Sequence, residues 1–219
     1  MAELLHKNEP ASAVIHAVAL AVSVFGFVML MAGTKEHGTV WHLIGFIVFG
    51  VSLILLYGVS SVYHFPPRGT SRKRILRRMD HMMIYVFMAS TCTPVCLTID
   101  NRACGWGLLA VARGCALAGI IVKATGVRIK SWASVMMYVI FGLLVLSVTG
   151  PVLQWLPTDG VGWLYGGGSL YLVGVIFYLM EKYPPKRIKF DLHAIWHLFV
   201  VAGSFSHAWL MMMKYVLYV

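Results

Sequence analysis

Long apolar runs separated by short polar connections repeat along the whole chain. Seven can be marked, at 11–32, 41–63, 82–99, 104–122, 132–153, 161–180 and 192–213. Each is close to the ~20 apolar residues that an α-helix needs to cross a bilayer. The short alternating segments of a membrane β-barrel are missing. The pattern therefore predicts an all-α membrane protein: one domain over residues 1–219, folded as a seven-transmembrane helix bundle. The first run is too long for a signal-peptide core, and no clear small-residue cleavage site follows it, so it reads as the first span. Pro151 in the fifth run and Gly166, Gly167 and Gly168 in the sixth predict kinks or close helix approach.

Composition strengthens this reading. Only 12% of residues are charged, about half the usual share in a soluble domain of ~25%. The net charge of +10 would suggest nucleic acid in a soluble protein. Its distribution points to membrane topology instead, with no nucleic-acid partner. Lys7, the stretch from Arg68 to Arg78, the loop with Lys123, Arg128 and Lys130, and the loop with Lys182, Lys186, Arg187 and Lys189 together hold fourteen positive residues. The opposite side holds three, Lys35, Arg102 and Lys214. Positive residues stay in the cytoplasm, so the N-terminus is expected inside and the C-terminus outside a plasma (inner) membrane. Such an arrangement requires an odd number of spans. The basic stretch from Arg68 to Arg78 is read as topogenic charge drawn to anionic lipid, worth about 1 kcal/mol per residue near the surface.

On that topology the polar residues gather at one depth. Ser60 and His64 close the second span, Asp80 and His81 open the third, and His193 and His197 open the seventh, all at the cytoplasmic end. His193 and His197 are one helical turn apart, a spacing that suits two ligands on one metal ion. Three neutral imidazoles, from His64, His193 and His197, with an oxygen in the fourth position make a catalytic zinc shell. Nitrogen donors favour zinc over magnesium or calcium. Asp80 and Ser60 would orient ligands or a water molecule, whose pKa zinc lowers to about 7. The competing reading is a set of isolated histidines snorkelling toward headgroups. Their shared depth favours the metal. Cys92, Cys96, Cys104 and Cys115 are read as packing residues, with neither a disulfide frame nor a zinc ribbon.

These residues also carry a resemblance. Ser60-Ser61-Val62-Tyr63-His64, the basic stretch, Arg78-Met79-Asp80-His81, Thr93-Pro94, Glu9 followed by His16, and His193-Ala-Ile-Trp-His197 with His207 after it resemble the hemolysin III family. That family is similar to the progestin and adipoQ receptors and belongs to a wider group that includes alkaline ceramidases. The resemblance implies a seven-helix fold with zinc near the cytoplasmic face. It carries the metal ligands onto His64, His193 and His197, the carboxylate near the water onto Asp80, and the motif serine onto Ser60. It also implies membrane lipids as partners, a role in lipid homeostasis and, through the wider group, hydrolysis of a lipid amide bond. The compact length resembles bacterial members. Two positions depart from the family pattern: Ser12, often an asparagine there, and Arg113, usually an aromatic residue. An arginine at the centre of a span costs at least ~2.5–3.5 kcal/mol on insertion scales. It is expected to face the bundle, pair with an acidic lipid, or snorkel.

Other histidines are placed by spacing. His16 lies about two turns into the first span and is expected to line the bundle interior. His207 lies roughly 15 Å beyond His197 by helical rise, too far for the same metal, and is read as cavity-lining or structural. His81 is expected to point away from Asp80's face; His6, His37 and His42 are read as solvent or interface residues. Three functions remain: an intramembrane zinc hydrolase acting on a lipid amide or ester, a non-enzymatic zinc-stabilised sensor, and a pore-forming cytolysin. The last would need a continuous polar stripe along one span, which the sequence lacks.

Overall fold

The computed structural model describes residues 9–67, 69–127, 129–147, 158–182 and 191–213. Within them run seven helices: α1 (Pro10–His37), α2 (Val40–His64), α3 (Ser71–Thr98), α4 (Arg102–Ala124), α5 (Ser131–Ser147), α6 (Thr158–Lys182) and α7 (Leu192–Met212). Six are long and apolar enough to cross a membrane, and α5 holds a shorter apolar segment, Trp132–Leu144. This is a helical, multi-pass membrane protein. The expected fifth span extends to residue 153, and its end, with Pro151, lies outside the described residues. So do Lys7, Lys214, His6 and most of the basic connection before α7.

The helix starts follow from local chemistry. Pro10 opens α1, where its missing N–H costs nothing. Thr70, Asn101 and Asp191 each accept a hydrogen bond from a first-turn backbone N–H, of Lys73, Cys104 and Ala194. Thr39 caps α2 reciprocally with His42, whose Nδ1 lies 3.1 Å from the Thr39 backbone nitrogen. His42 is therefore a capping residue. Inside the helices, hydroxyls are satisfied by their own turns: Ser23 donates to the Ala19 carbonyl at 2.7 Å and Thr34 to that of Leu30 at 2.6 Å. Such back-bonding is what an apolar solvent demands of a polar side chain.

Two sequence expectations are corrected here. The basic stretch before the third span is not a loop from Arg72 onward: Arg72 to Arg78 form the first turns of α3. Hydropathy marks only apolar residues, whereas the Thr70 cap and good helix formers start the helix about ten residues earlier. Lys123 likewise sits in the last turn of α4 rather than in the following loop.

Neighbours in sequence pack as neighbours in space along α1–α4 and again for α6 with α7, while α1 meets α7 to close the bundle. Helix α5 is the most loosely packed of the described helices. The main core, between α1, α2, α3 and α7, is built from Phe46, Phe49, Tyr57, Phe87, Leu210 and Met211. A second cluster around Tyr85, Ala112 and Phe141 joins α3, α4 and α5. Outward-facing residues are equally apolar: Val14, Val18, Val22 and Phe25 are all more than half exposed. That surface suits lipid rather than water. Arg113 also faces outward, and its Nη2 donates to the Thr93 hydroxyl at 2.9 Å, a partner that the sequence left open.

Helix contact depends on missing side chains. A Cβ on Gly105 would overlap the Cys96 carbonyl oxygen and lie 2.7 Å from Ile99 Cγ2, and one on Gly45 would lie 2.7 Å from Pro94 Cα. Backbone atoms cannot rotate away, so Gly105→Ala is expected to destabilise the protein by about 1–3 kcal/mol. A Cβ on Gly107 or Gly114 would have nothing within 4 Å, and alanine variants at these two positions should lose nothing. Thermal unfolding in detergent, followed by a thiol-reactive dye that reports exposure of buried Cys96, checks the contrast.

Candidate functional site

Among the described residues, one end of the bundle collects most of the buried charged and histidine side chains. Helix α1 starts there with Glu9 and His16, α2 finishes with Ser60 and His64, and α3 begins with Lys73 and Asp80. Helix α6 ends there with Glu181, and α7 begins with His193 and His197. Helical connectivity brings these helix ends to one face of the bundle. An even number of crossings returns the chain to the same face, and His16, His64 and His197 each fall on a buried side of their helix.

The imidazoles pack against one another. Ring centroids of His64 and His193 are 5.4 Å apart, of His64 and His197 4.8 Å, and of His193 and His197 4.5 Å. The structure thus brings together the three residues that the sequence singles out. It adds His16, whose ring lies 4.3 Å from that of His197 and 5.5 Å from that of His64. By ligand atoms the groupings within 4.8 Å are His16 with His64 and His197, and Glu9 with His64 and His193, so none among the described residues joins His64, His193 and His197 together. His64 belongs to both.

Carboxylates fix two of the rings. His64 Nδ1 lies 3.0 Å from Glu9 Oε2, and His193 Nδ1 lies 2.9 Å from Glu181 Oε2. A carboxylate accepts, so each Nδ1 carries the proton and each Nε2 is left with its lone pair. Neither Nε2 has a partner among the described residues, nor has His197 Nε2 or either nitrogen of His16. Buried imidazole nitrogens without partners are uncommon. A ring held by a carboxylate through Nδ1 with a bare Nε2 is the arrangement seen around protein-bound metals. The donor set fits a borderline-soft divalent ion such as zinc.

Lys73 completes the charge balance. Its Nζ bonds Glu9 Oε2 at 2.7 Å and sits 4.3 Å over the Tyr63 ring, so a buried ammonium and a largely buried carboxylate neutralise one another. Asp80 stands apart from the ligand groupings. Its carboxylate lies 3.5 Å from His81 Nδ1 and next to the Ser60 hydroxyl. The expectation that His81 points elsewhere is corrected: both side chains border the same cavity. Their helical offset is bridged because that face of α3 looks into open space rather than into a packed neighbour.

That cavity, of about 300 Å³, begins at Ser60, Asp80 and His197 and runs down the bundle to Leu210 and Met211. It is of the size at which small-molecule sites begin. Residues from all seven helices contribute to its wall, including Cys92 and Cys96 of α3, whose thiols are free.

Glu9 enters the sequence reading only as part of the family motif, and His16 also as a residue lining the bundle interior; Glu181 and Lys73 have no site role in it. The usable signal is scarcity. The chain has eight acidic residues, so a carboxylate at the histidine end of a span is informative.

The family described as haemolysin-III related matches residues 5–208. The chain is 37% identical over 198 residues to "Hemolysin-3" of Bacillus cereus, covering 90% of this chain and 87% of that protein. It is 35% identical to "Hemolysin-3 homolog" of Bacillus subtilis, covering 90% of each. More distantly, it is 26% identical over 178 residues to human "Monocyte to macrophage differentiation factor", covering 76% of this chain and 68% of that one. With a match spanning Glu9 to His207 and every residue of the histidine cluster between them, this chain belongs to the haemolysin-III-related family.

Proposed function

We propose that this protein is a seven-span membrane protein of the bacterial plasma membrane, N-terminus in the cytoplasm, that binds zinc and hydrolyses an amide or ester bond of a membrane lipid. The observation that carries the reading is the set of bare Nε2 atoms on His64, His193 and His197, packed beside a largely apolar cavity whose wall includes His197, Asp80 and Ser60. These three residues would hold the ion, with Glu9 and Glu181 fixing two of the rings. Zinc in such a shell supplies Lewis acidity and lowers the pKa of a nearby water.

The chain's own groups account for the remaining chemistry. Asp80 takes the proton of the attacking water at a carboxylate oxygen and returns it to the leaving group. His81 and Ser60 orient that carboxylate, and the Ser60 hydroxyl can also donate to the developing oxyanion. The apolar wall excludes water and accepts an acyl chain, which enters from the bilayer past the loosely packed α5. Orientation rests on the fourteen-to-three partition of lysine and arginine. The names of the Bacillus relatives point to cytolysis. Among the described residues, the buried side chains of His16, His64, Lys73, Asp80 and His197 share one end and only His207 of the buried charged or histidine side chains lies deeper, which makes no stripe through the bundle.

Elemental analysis of the purified protein should give about one zinc per chain. The metal should be lost in a His193→Ala, His197→Ala double variant and retained in His16→Ala, which separates the proposed triad from the grouping that includes His16. No metal in chelator-free wild type would remove the zinc reading altogether. Glu181→Gln should keep the site but weaken zinc about 10–100-fold, because its amide holds His193 less firmly; competition with a chromogenic chelator measures this.

Asp80→Asn should retain zinc while turnover of N-acyl lipid amides falls roughly 10²–10⁴-fold. Equal turnover in wild type and Asp80→Asn would exclude Asp80 as the base. Stability lost on chelation, with no product from any lipid, would favour a zinc-stabilised sensor of membrane lipid state.

A further inference from the structure

Helices α6 and α7 cross where each lacks a side chain. A Cβ on Gly167 would meet His207 Nε2 at 2.9 Å, and one on Gly203 would meet the Tyr171 ring at 2.8 Å. Gly167 of α6 therefore seats His207 of α7, and Gly203 of α7 seats Tyr171 of α6. The two ring centroids are 5.7 Å apart, and both residues border the cavity that begins at the histidine cluster.

Their hydrogen-bonding atoms are incomplete in complementary ways. His207 Nε2 lies 3.3 Å from the Leu164 carbonyl. A carbonyl only accepts, so Nε2 carries the proton and Nδ1 of the neutral ring is an acceptor. That Nδ1 has no partner among the described residues, and neither has the Tyr171 hydroxyl. The Ser204 hydroxyl neighbours that of Tyr171 but has no hydrogen to spare for either group. Its hydroxyl donates to the Val200 carbonyl at 2.6 Å and receives the Tyr57 hydroxyl. The cavity wall thus offers one bare acceptor beside a tyrosine hydroxyl whose neighbour Ser204 is already engaged twice, on a largely apolar surface. A hydroxyl satisfies both, donating to His207 Nδ1 and accepting from Tyr171. An ester carbonyl can answer only Tyr171.

We propose that His207 and Tyr171 form a second binding subsite that takes a hydroxyl on the lipid chain, so that the cavity selects acyl chains hydroxylated far from the headgroup. The inference rests on the reading of the cavity as an acyl-chain site with its polar end at the histidines. His207 lies ten residues beyond His197 on α7, roughly 15 Å of helical rise, about the length of a dozen methylenes in an extended chain.

The test is displacement of a fluorescent fatty acid from the full-length protein in detergent by stearate, 12-hydroxystearate and 2-hydroxystearate. Wild type should bind 12-hydroxystearate about five- to tenfold more tightly than stearate, as one well-made buried hydrogen bond allows. 2-Hydroxystearate should gain nothing, since its hydroxyl sits at the headgroup end. The preference should vanish in Tyr171→Phe, which keeps the ring, and in His207→Phe. Equal binding of stearate and 12-hydroxystearate by wild type would overturn the subsite and leave the acyl-chain reading standing, the niche then holding only water. A preference that survives Tyr171→Phe would also overturn it. If no fatty acid displaces the probe, the acyl-chain reading falls with it.

Discussion

A buried imidazole has two nitrogens to satisfy, and lipid offers neither donors nor acceptors. At the histidine end of this bundle, carboxylates answer one nitrogen on each of two rings, Glu9 for His64 and Glu181 for His193. Much else at that end follows from these two hydrogen bonds. They join the start of α1 to the end of α2, and the end of α6 to the start of α7. They set the tautomers and leave both Nε2 lone pairs without a partner among the described residues. Glu9 is itself held by Lys73, so the negative charge that orients His64 is balanced by α3. Removing one partner from such a buried pair costs several times what the intact pair contributes.

The polar end and the apolar cavity are two consequences of the same packing. Where α1, α2 and α7 approach closely, rings meet within 4.3–5.5 Å. Away from that contact the bundle is propped open, since α5 packs only lightly on its neighbours. Space is left beside Asp80 and His81 rather than beside His64 and Lys73, whose surroundings are filled. The rings thereby hold a fixed constellation, while the wall below it is largely apolar and open. The α6–α7 crossing adds a second polar point to that wall, made possible by Gly167 and Gly203.

The same economy governs the isolated polar residues of the spans. Thr91, Thr93 and Thr98 return their hydroxyls to carbonyls of their own helix. Arg113 uses the Thr93 oxygen, which already donates to Ala89 and retains acceptor capacity for it. Such local satisfaction makes polar residues in lipid tolerable without a bound ion. The histidine nitrogens differ because their own helices offer them nothing: helix carbonyls accept, and a bare imidazole nitrogen needs a donor or a metal.

The sequence by itself determined the helices and which polar residues share one end. Length and hydropathy are local properties, so each expected run overlaps an observed helix, and the i, i+4 spacing of His193 and His197 puts both on one face whatever the surroundings. Alternating crossings then sent Ser60, His64, Asp80 and the α7 histidines to the same end. Tertiary structure decided which side chains touch. Hydropathy is blind to a capped basic turn, so Arg72 to Arg78 read as loop. It is blind also to rotation about helix axes, so His16, Glu9 and Glu181 joined the cluster only once α1 and α6 were packed. His81 turned toward the cavity because α3 faces a gap there. Spacing along one helix fixes a register; contact between helices depends on tilt and rotation set by glycines and bulky rings far from the site in sequence.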